Sequence, residues 1–148
     1  MKPIALTAKL AVAPQPKLSD FQEFRRFGFT TVVNNRPDGE DPSQLGSAVE
    51  AEAARSAGLG YVHIPVTSAG MTEDDARLLK ETIEQAPGPV VAHCRSGVRS
   101  FYLWVLSGDL DSLSDEELVA KATELGVDAN AARTWLAAHR NGSGGNHK

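Results

Sequence analysis

Hydrophobic residues in this chain occur in two spacings, which alternate along the first two thirds of the sequence. Short runs of apolar and β-branched residues are typical of buried strands, whereas apolar residues three or four positions apart indicate helices. Strands are therefore predicted at 4–6, 10–13, 29–34, 61–64 and 89–93. Helical spacing separates most of them, and polar loops are predicted at 35–43 and 65–71.

Capping residues predict where the helices begin, because a side-chain oxygen can accept the free N–H groups of a first helical turn. The first helix carries a stripe of three phenylalanines (Phe21, Phe24 and Phe27) and should end at Gly28. Further helices are expected to end at Gly58, near Ala86, at Gly126 and at Arg140. The predicted starts are Ser19 with Gln22, Ser47 with Glu50, Thr72, the residues after Cys94, Ser114 with Glu117, and Asp128.

Strands that alternate with helices predict an α/β fold: a single domain around a mainly parallel sheet of four to five strands, flanked by helices. Loops that leave the carboxyl ends of parallel strands share one rim, where ligands bind. The loops after 34, 64 and 93 should therefore surround one crevice. We predict a catalytic domain over residues 1–140 and a flexible glycine-rich tail over 141–148.

Composition narrows the function of this fold. The chain has 148 residues, one cysteine and a formal net charge of −4, so it has neither an internal disulfide nor a cysteine cluster for metal. Its four histidines lack metal-ligand spacing, and we predict no metal and no cofactor. The acidic charge argues against nucleic acid as a partner, and the lack of a long apolar run argues against a membrane. A reducing, cytoplasmic location is expected.

The single cysteine, Cys94, lies between the last predicted strand and a helix. Loop amides and a helix N-terminus attract an anion there and favour thiolate over thiol. We predict Cys94 and Arg99 as catalytic residues, with His93 ordering the loop through a backbone hydrogen bond. The other predicted site residues are an anion-binding loop of Arg95, Ser96, Gly97, Val98 and Ser100, and the supporting Asn34 and Arg36. Ser100 is expected to tune the thiolate, and Arg36 is expected to converge with Arg95 and Arg99 on one anion pocket.

With these residues in view, the chain resembles the cysteine-based tyrosine and dual-specificity phosphatases, whose signature has five residues between cysteine and arginine. Here only four separate Cys94 from Arg99. That length, and the string Cys-Arg-Ser-Gly-Val-Arg-Ser, look like the active loop of single-domain rhodaneses, which carry a persulfide on cysteine. The rest of the chain does not look like a rhodanese.

Three separated segments (34–40, 63–66 and 93–97) together resemble a bacterial family with a tyrosine-phosphatase-like fold. The family is named both for the phosphatase-like domain of β-lactamase-hydrolase-like proteins and for sulfur transfer. The match covers roughly residues 4 to 107. Some members are fused to a metallo-β-lactamase-like domain associated with persulfide oxidation, which implies a persulfide-oxidising enzyme as a partner.

The predicted function is sulfur transfer, from thiosulfate or a persulfide, through a Cys94 persulfide, to a thiol or cyanide acceptor. A short loop suits a sulfur atom better than a phosphoryl group, and sulfite leaves without a proton. The alternative is a phosphatase with a phosphocysteine intermediate and Asp38, Asp74 or Asp75 as general acid, since residues 65–70 contain no aspartate. A second alternative is a non-catalytic module that binds anions.

Overall fold

The fold is built on a five-stranded mixed sheet, in a computed structural model that describes residues 1–108 and 113–145. The strands are β1 (Ile4–Ala5), β2 (Leu10–Ala13), β3 (Thr31–Asn34), β4 (Gly60–His63) and β5 (Val90–His93), in the order β1-β2-β5-β3-β4. Only β1 is antiparallel, and β5 lies between β2 and β3. The prediction of a single α/β domain with a mainly parallel sheet is confirmed.

Helices cover both faces of the sheet because successive strand residues point to opposite sides. On one face, Val32 and Val91 pack with Phe21 and Phe24. On the other, Val33 and Ala92 belong to a larger core that includes Leu79, Phe101, Trp104, Leu118 and Leu136. The helices are α1 (Leu18–Arg26), α2 (Ser47–Ser56), α3 (Glu73–Gln85), α4 (Val98–Leu106), α5 (Asp115–Glu124) and α6 (Ala129–Gly145).

Three of the predicted helix caps are confirmed, and one of them is Asp128, which accepts the backbone N–H of Ala131 at the start of α6. Thr72 accepts the backbone N–H of Asp75 at the start of α3, and Ser114 accepts that of Glu117 at the start of α5. In both cases the acidic side chain accepts the backbone N–H of the capping residue in return. The reciprocal bonds satisfy donors that a first helical turn otherwise leaves free.

Two other predicted caps are wrong. The helix α1 begins at Leu18, ahead of Ser19, and the Asp20 carboxylate accepts the backbone N–H of Lys17. The helix α2 already includes Ser47, whose backbone N–H and hydroxyl both donate to Asp38, so a side chain from the preceding loop takes the capping role. Because the Glu50 carboxylate takes no part in this cap, it can bind other partners.

Two further expectations differ at the edges of the fold. Phe27, predicted to continue the apolar stripe, is 51% exposed because α1 ends one residue earlier. Helix α6 includes residues 141–145, which the sequence assigned to a tail, while 146–148 lie outside the described residues. In the part of the chain that the structure describes, no helix is long and apolar enough to cross a membrane.

Candidate active site

Cys94 lies directly after the central strand β5, at the carboxyl edge of the sheet. Its side chain is fully buried, and the backbone N–H of Gly97 donates to Sγ over 3.0 Å. Gly97 has φ +99°, a conformation that favours glycine, and a Cβ there would lie 2.9 Å from Leu125 Cδ2. Helix α4 begins one residue later, so its free N–H groups and positive dipole end face the loop.

The Cys94 loop is fixed by hydrogen bonds from neighbouring strand ends. The backbone N–H of Gln15, after β2, donates to the carbonyl of Arg95 over 3.1 Å. Asn35, after β3, donates its backbone N–H to the carbonyl of His93 over 2.7 Å. The Ser100 hydroxyl, expected to act on the thiolate, donates to Asn35 Oδ1 over 2.7 Å and so stabilises the loop that follows β3.

Arg99 is held beside the cysteine by a two-pronged ion pair. Its two terminal nitrogens donate to both carboxylate oxygens of Glu40, over 2.8 and 2.9 Å, and one also donates to the carbonyl of Val66 over 3.0 Å. The hydrogen bonds to Glu40 raise the pKa of Arg99. The same contact with Arg99 lowers the pKa of Glu40 to about 2. Glu40 is therefore ionised and unable to donate a proton at neutral pH.

A cleft of about 630 Å³ opens above this loop. Arg95 is exposed at its wall, so Arg95 and Arg99 are the two arginines that reach it. The expectation that Arg36 also converges on the anion is wrong, because this guanidinium is 4% exposed and faces Gln15 and Glu40 instead. The cleft is lined by Glu40, Thr67, Ser68, Arg95, Ser96, Val98 and Arg99.

A buried polar network runs behind the loop. Arg36 donates to Gln15 over 3.0 Å, and Gln15 donates to Glu50 over 2.7 Å. Glu50 lies 2.7 Å from Nε2 of His93, whose Nδ1 lies 3.1 Å from the carbonyl oxygen of Cys94. His93 therefore makes the predicted backbone hydrogen bond. Asn34, the remaining supporting residue, accepts the backbone N–H of Arg36 over 2.8 Å and so stabilises the same network.

The three candidate general acids all have structural partners. Asp38 accepts two hydrogen bonds from Ser47, which lower its pKa and keep it ionised. Asp74 pairs with Arg77 over 2.6 Å, and Asp75 accepts the backbone N–H of Thr72. None of the three lines the cleft. Asp74 and Asp75 lie in the first turn of α3, whereas Asp38 caps α2 from the preceding loop.

Sequence reasoning missed Glu40, Glu50 and Gln15 as members of the site. Glu50 lies on the buried stripe of α2 that continues with Ala54, and a carboxylate on such a stripe is a signal that the apparent capping box obscured. Glu40 stands within the segment 34–40 that carries the family resemblance, but its partner Arg99 is 59 positions away. Gln15, between two prolines, offers no sequence signal.

A buried cysteine between the central strand of a parallel sheet and a helix, with an arginine held beside it, defines the fold class of the cysteine-based phosphatases. Residues 4–111 match the family described as "Beta-lactamase hydrolase-like protein, phosphatase-like domain". The chain belongs to this family, and the resemblance seen in the sequence is confirmed.

Similar proteins share this description. The chain is 40% identical over 139 residues to the beta-lactamase hydrolase-like protein of Agrobacterium fabrum, a match that covers 92% of this chain and 32% of that protein. The chain thus spans about a third of that relative. A candidate phosphatase from Neisseria meningitidis is 30% identical, with a TM-score of 0.82 and coverage of 95% of this chain and 99% of that one.

A more distant solved structure shows the fold alone. TpbA of P. aeruginosa, in complex with phosphotyrosine, is 14% identical, with a TM-score of 0.59. The match covers 89% of this chain and 88% of TpbA.

Proposed function

We propose that this domain is a cysteine-dependent phosphatase, and phosphate ester hydrolysis is the first of two candidate reactions. The observation that carries this proposal is the Cys94 Sγ atom at 3.0 Å from a loop N–H, beside an arginine, on the fold of the cysteine-based phosphatases. The family description and the Neisseria relative support phosphate as the transferred group. The comparisons thus favour phosphate over the sulfur chemistry expected from the sequence.

In this reaction the Cys94 thiolate attacks the phosphorus of a phosphate monoester. The S–P bond forms while the bond from phosphorus to the leaving oxygen breaks, and that oxygen takes the electron pair and then a proton from solvent. Water next attacks the phosphocysteine, which releases phosphate and regenerates the thiolate. The loop amides and Arg99 stabilise the charge on the phosphoryl oxygens.

The test combines turnover with detection of the intermediate. Wild-type protein should hydrolyse p-nitrophenyl phosphate and show one trapped phosphoryl group by intact-protein mass spectrometry. The matched control is Cys94→Ser, which keeps the size of the side chain but lowers its nucleophilicity, and should lose turnover by about 10³-fold or more. Phosphate release that persists in Cys94→Ser would contradict the proposal.

Sulfur transfer is the second candidate, and two observations favour it. Only four residues separate Cys94 from Arg99, and none of Asp38, Asp74 and Asp75 lines the cleft as a free acid. The thiolate would attack the outer sulfur of thiosulfate, forming an S–S bond while sulfite leaves with the electron pair. The outer sulfur of the Cys94 persulfide would then pass to an acceptor thiolate or to cyanide.

One parallel experiment separates the candidates. Incubation with thiosulfate should add one sulfur atom to wild-type protein and none to Cys94→Ser, and cyanide should remove it, if sulfur is transferred. Cys94-dependent phosphate release without sulfur uptake supports the phosphatase. A module that only binds anions predicts that Cys94→Ser still binds phosphate or sulfate, with no covalent adduct on wild type.

A further inference from the structure

Glu50 is the most deeply buried carboxylate of the network behind the Cys94 loop. It lies on α2 and is 1% exposed. An isolated ionised carboxylate is costly to bury, so its hydrogen-bond partners must compensate. Two donors face it, Gln15 at 2.7 Å and Tyr61 at 3.2 Å, and Nε2 of His93 lies 2.7 Å away.

The orientations of these donors are set by Arg36, which can only donate. Its guanidinium donates to Oε1 of Gln15, so the amide nitrogen of Gln15 faces Glu50. Its backbone N–H donates to Oδ1 of Asn34, so the amide nitrogen of Asn34 faces the oxygen of Tyr61. Tyr61 is left with its hydroxyl proton for Glu50.

His93 has an acceptor at each ring nitrogen. Nδ1 lies 3.1 Å from the carbonyl oxygen of Cys94, which can only accept, so Nδ1 carries a proton. Nε2 lies 2.7 Å from Oε1 of Glu50, so one proton lies between them. The ring is fully buried. Two forms satisfy both contacts: an imidazolium facing the Glu50 carboxylate, and a neutral ring facing a protonated Glu50. The donors Gln15 and Tyr61 already face Glu50, which matches the carboxylate and the imidazolium.

We propose that Glu50 is a positioning residue that holds the second proton on His93 and so maintains a positive charge beside Cys94. The charge favours the thiolate that the reaction requires. Glu50 touches no atom of the cleft, and its effect passes through His93. The inference rests on the proposed function only in taking Cys94 as the nucleophile, and it holds for phosphate and for sulfur alike.

Other charged and titratable groups face this region from each neighbouring element. Arg36 and Glu40 come from the loop after β3, Tyr61 from β4 and Arg99 from α4. Arg36 and Arg99 share the single carboxylate of Glu40, and a substitution at Glu50 leaves these three charges in place. The proton on His93 is therefore the charge that a change at Glu50 would alter.

The test measures the rate of Cys94 alkylation by iodoacetamide as a function of pH, which needs no substrate. Glu50→Gln keeps the side-chain size but removes the charge that holds the second proton. We expect its alkylation profile to move up by about one pH unit, equivalent to about tenfold slower alkylation below the midpoint. His93→Gln should produce the same shift, and the double variant no further shift.

Tyr61→Phe is the matched control, since it removes one hydrogen bond from the same carboxylate and leaves the charge. It should lower thermal stability and leave the alkylation profile in place. Equal profiles for wild type and Glu50→Gln would overturn the proposal, as would a shift of the same size in Tyr61→Phe.

Nitrogen NMR of histidine-labelled wild-type protein tests the same inference should Glu50→Gln fail to fold. Two ring protons on His93 at neutral pH are expected, and a single ring proton would overturn the proposal. Neither readout depends on turnover, so a failure of the phosphatase assay leaves this test intact.

Discussion

The two loops that flank the Cys94 loop differ sharply in charge. The loop after β3, residues 35–46, contains Arg36, Asp38, Glu40 and Asp41, whereas the loop after β4, residues 64–72, has no acidic or basic side chain. The first fixes Arg99 and anchors the buried network. The second contributes a carbonyl from Val66 and lines the cleft with two hydroxyl residues.

This contrast shows that the cleft is better equipped to bind an anion than to transfer a proton to a leaving group. One side of the cleft orients the Arg99 guanidinium, because Glu40 pairs with it before any substrate arrives. The other side offers no carboxyl group to protonate a leaving group. Substrates whose leaving groups depart without a proton should therefore react best, whichever group is transferred.

Replacing the fixed cation should have the largest effect. A lysine in Arg99→Lys cannot make two parallel bonds to Glu40 and a third to Val66, so its charge loses its orientation. We expect kcat/KM for the Cys94-dependent reaction to fall about 10²- to 10³-fold. The measurement is steady-state kinetics with p-nitrophenyl phosphate and with thiosulfate.

The uncharged loop supplies the control for Arg99→Lys. Thr67→Val changes a residue that lines the same cleft, and kcat/KM should change only a few-fold, about twofold to threefold. A loss in Thr67→Val as large as that in Arg99→Lys would break the comparison between the loops.

The backbone of the Cys94 loop should be the next most sensitive feature. In Gly97→Ala the new Cβ meets Leu125 at 2.9 Å and the residue keeps φ +99°. We expect a loss of about 1–3 kcal/mol in the free energy of unfolding, measured in urea. Gly126→Ala, with φ +96° and no atom within 4 Å, isolates the backbone effect and should cost less.

A new acid in the uncharged loop would sharpen the comparison. Ser68→Asp introduces a carboxyl group at the cleft wall. If the transferred group is phosphate, kcat/KM for phenyl phosphate should rise about tenfold, while that for p-nitrophenyl phosphate, which has a better leaving group, should change little. Ser68→Asn tests size without acidity, and an equal gain in that variant would rule out proton donation.

The smallest effect is expected in acid stability. Glu40 has its pKa lowered from 4.5 to about 2 in the folded protein, so its contribution is present above pH 4.5 and is lost as the pH falls toward 2. Glu40→Gln should unfold at lower urea concentration than wild type at pH 7, and the two should converge near pH 2. Asp74→Asn, which removes an exposed pair, should match wild type throughout. Parallel curves for Glu40→Gln and wild type would contradict this.

The sequence predicted the sheet and the position of Cys94 well because both depend on local patterns. Apolar runs gave the strands, and the strand, cysteine and glycine in succession gave the loop. The predicted capping box at Ser47 and Glu50 fails for a physical reason: Asp38 caps α2 from outside the helix, which leaves Glu50 to bind His93, 43 positions away.

The partners of the site were less predictable because they depend on side chains that meet only after folding. Arg36 was correctly singled out, yet its direction depends on Gln15 and Glu40. Ser100 has the position expected for a residue that acts on the thiolate, but its hydroxyl donates a hydrogen bond to Oδ1 of Asn35 instead. A spacing pattern predicts the chemical type of a site residue and the secondary-structure element in which it lies. It does not predict which partner the side chain contacts.

The central position of β5 has a consequence for how the chain acquires its reactivity. His93 lies between Ala13 and Asn34, so the cysteine edge of the sheet is assembled from segments that are distant along the chain. Such non-local pairing is slow because long loops must close first. The only thiol of the protein therefore acquires its oriented amides and arginine late in folding, and the appearance of fast alkylation during refolding would time the arrival of the native state.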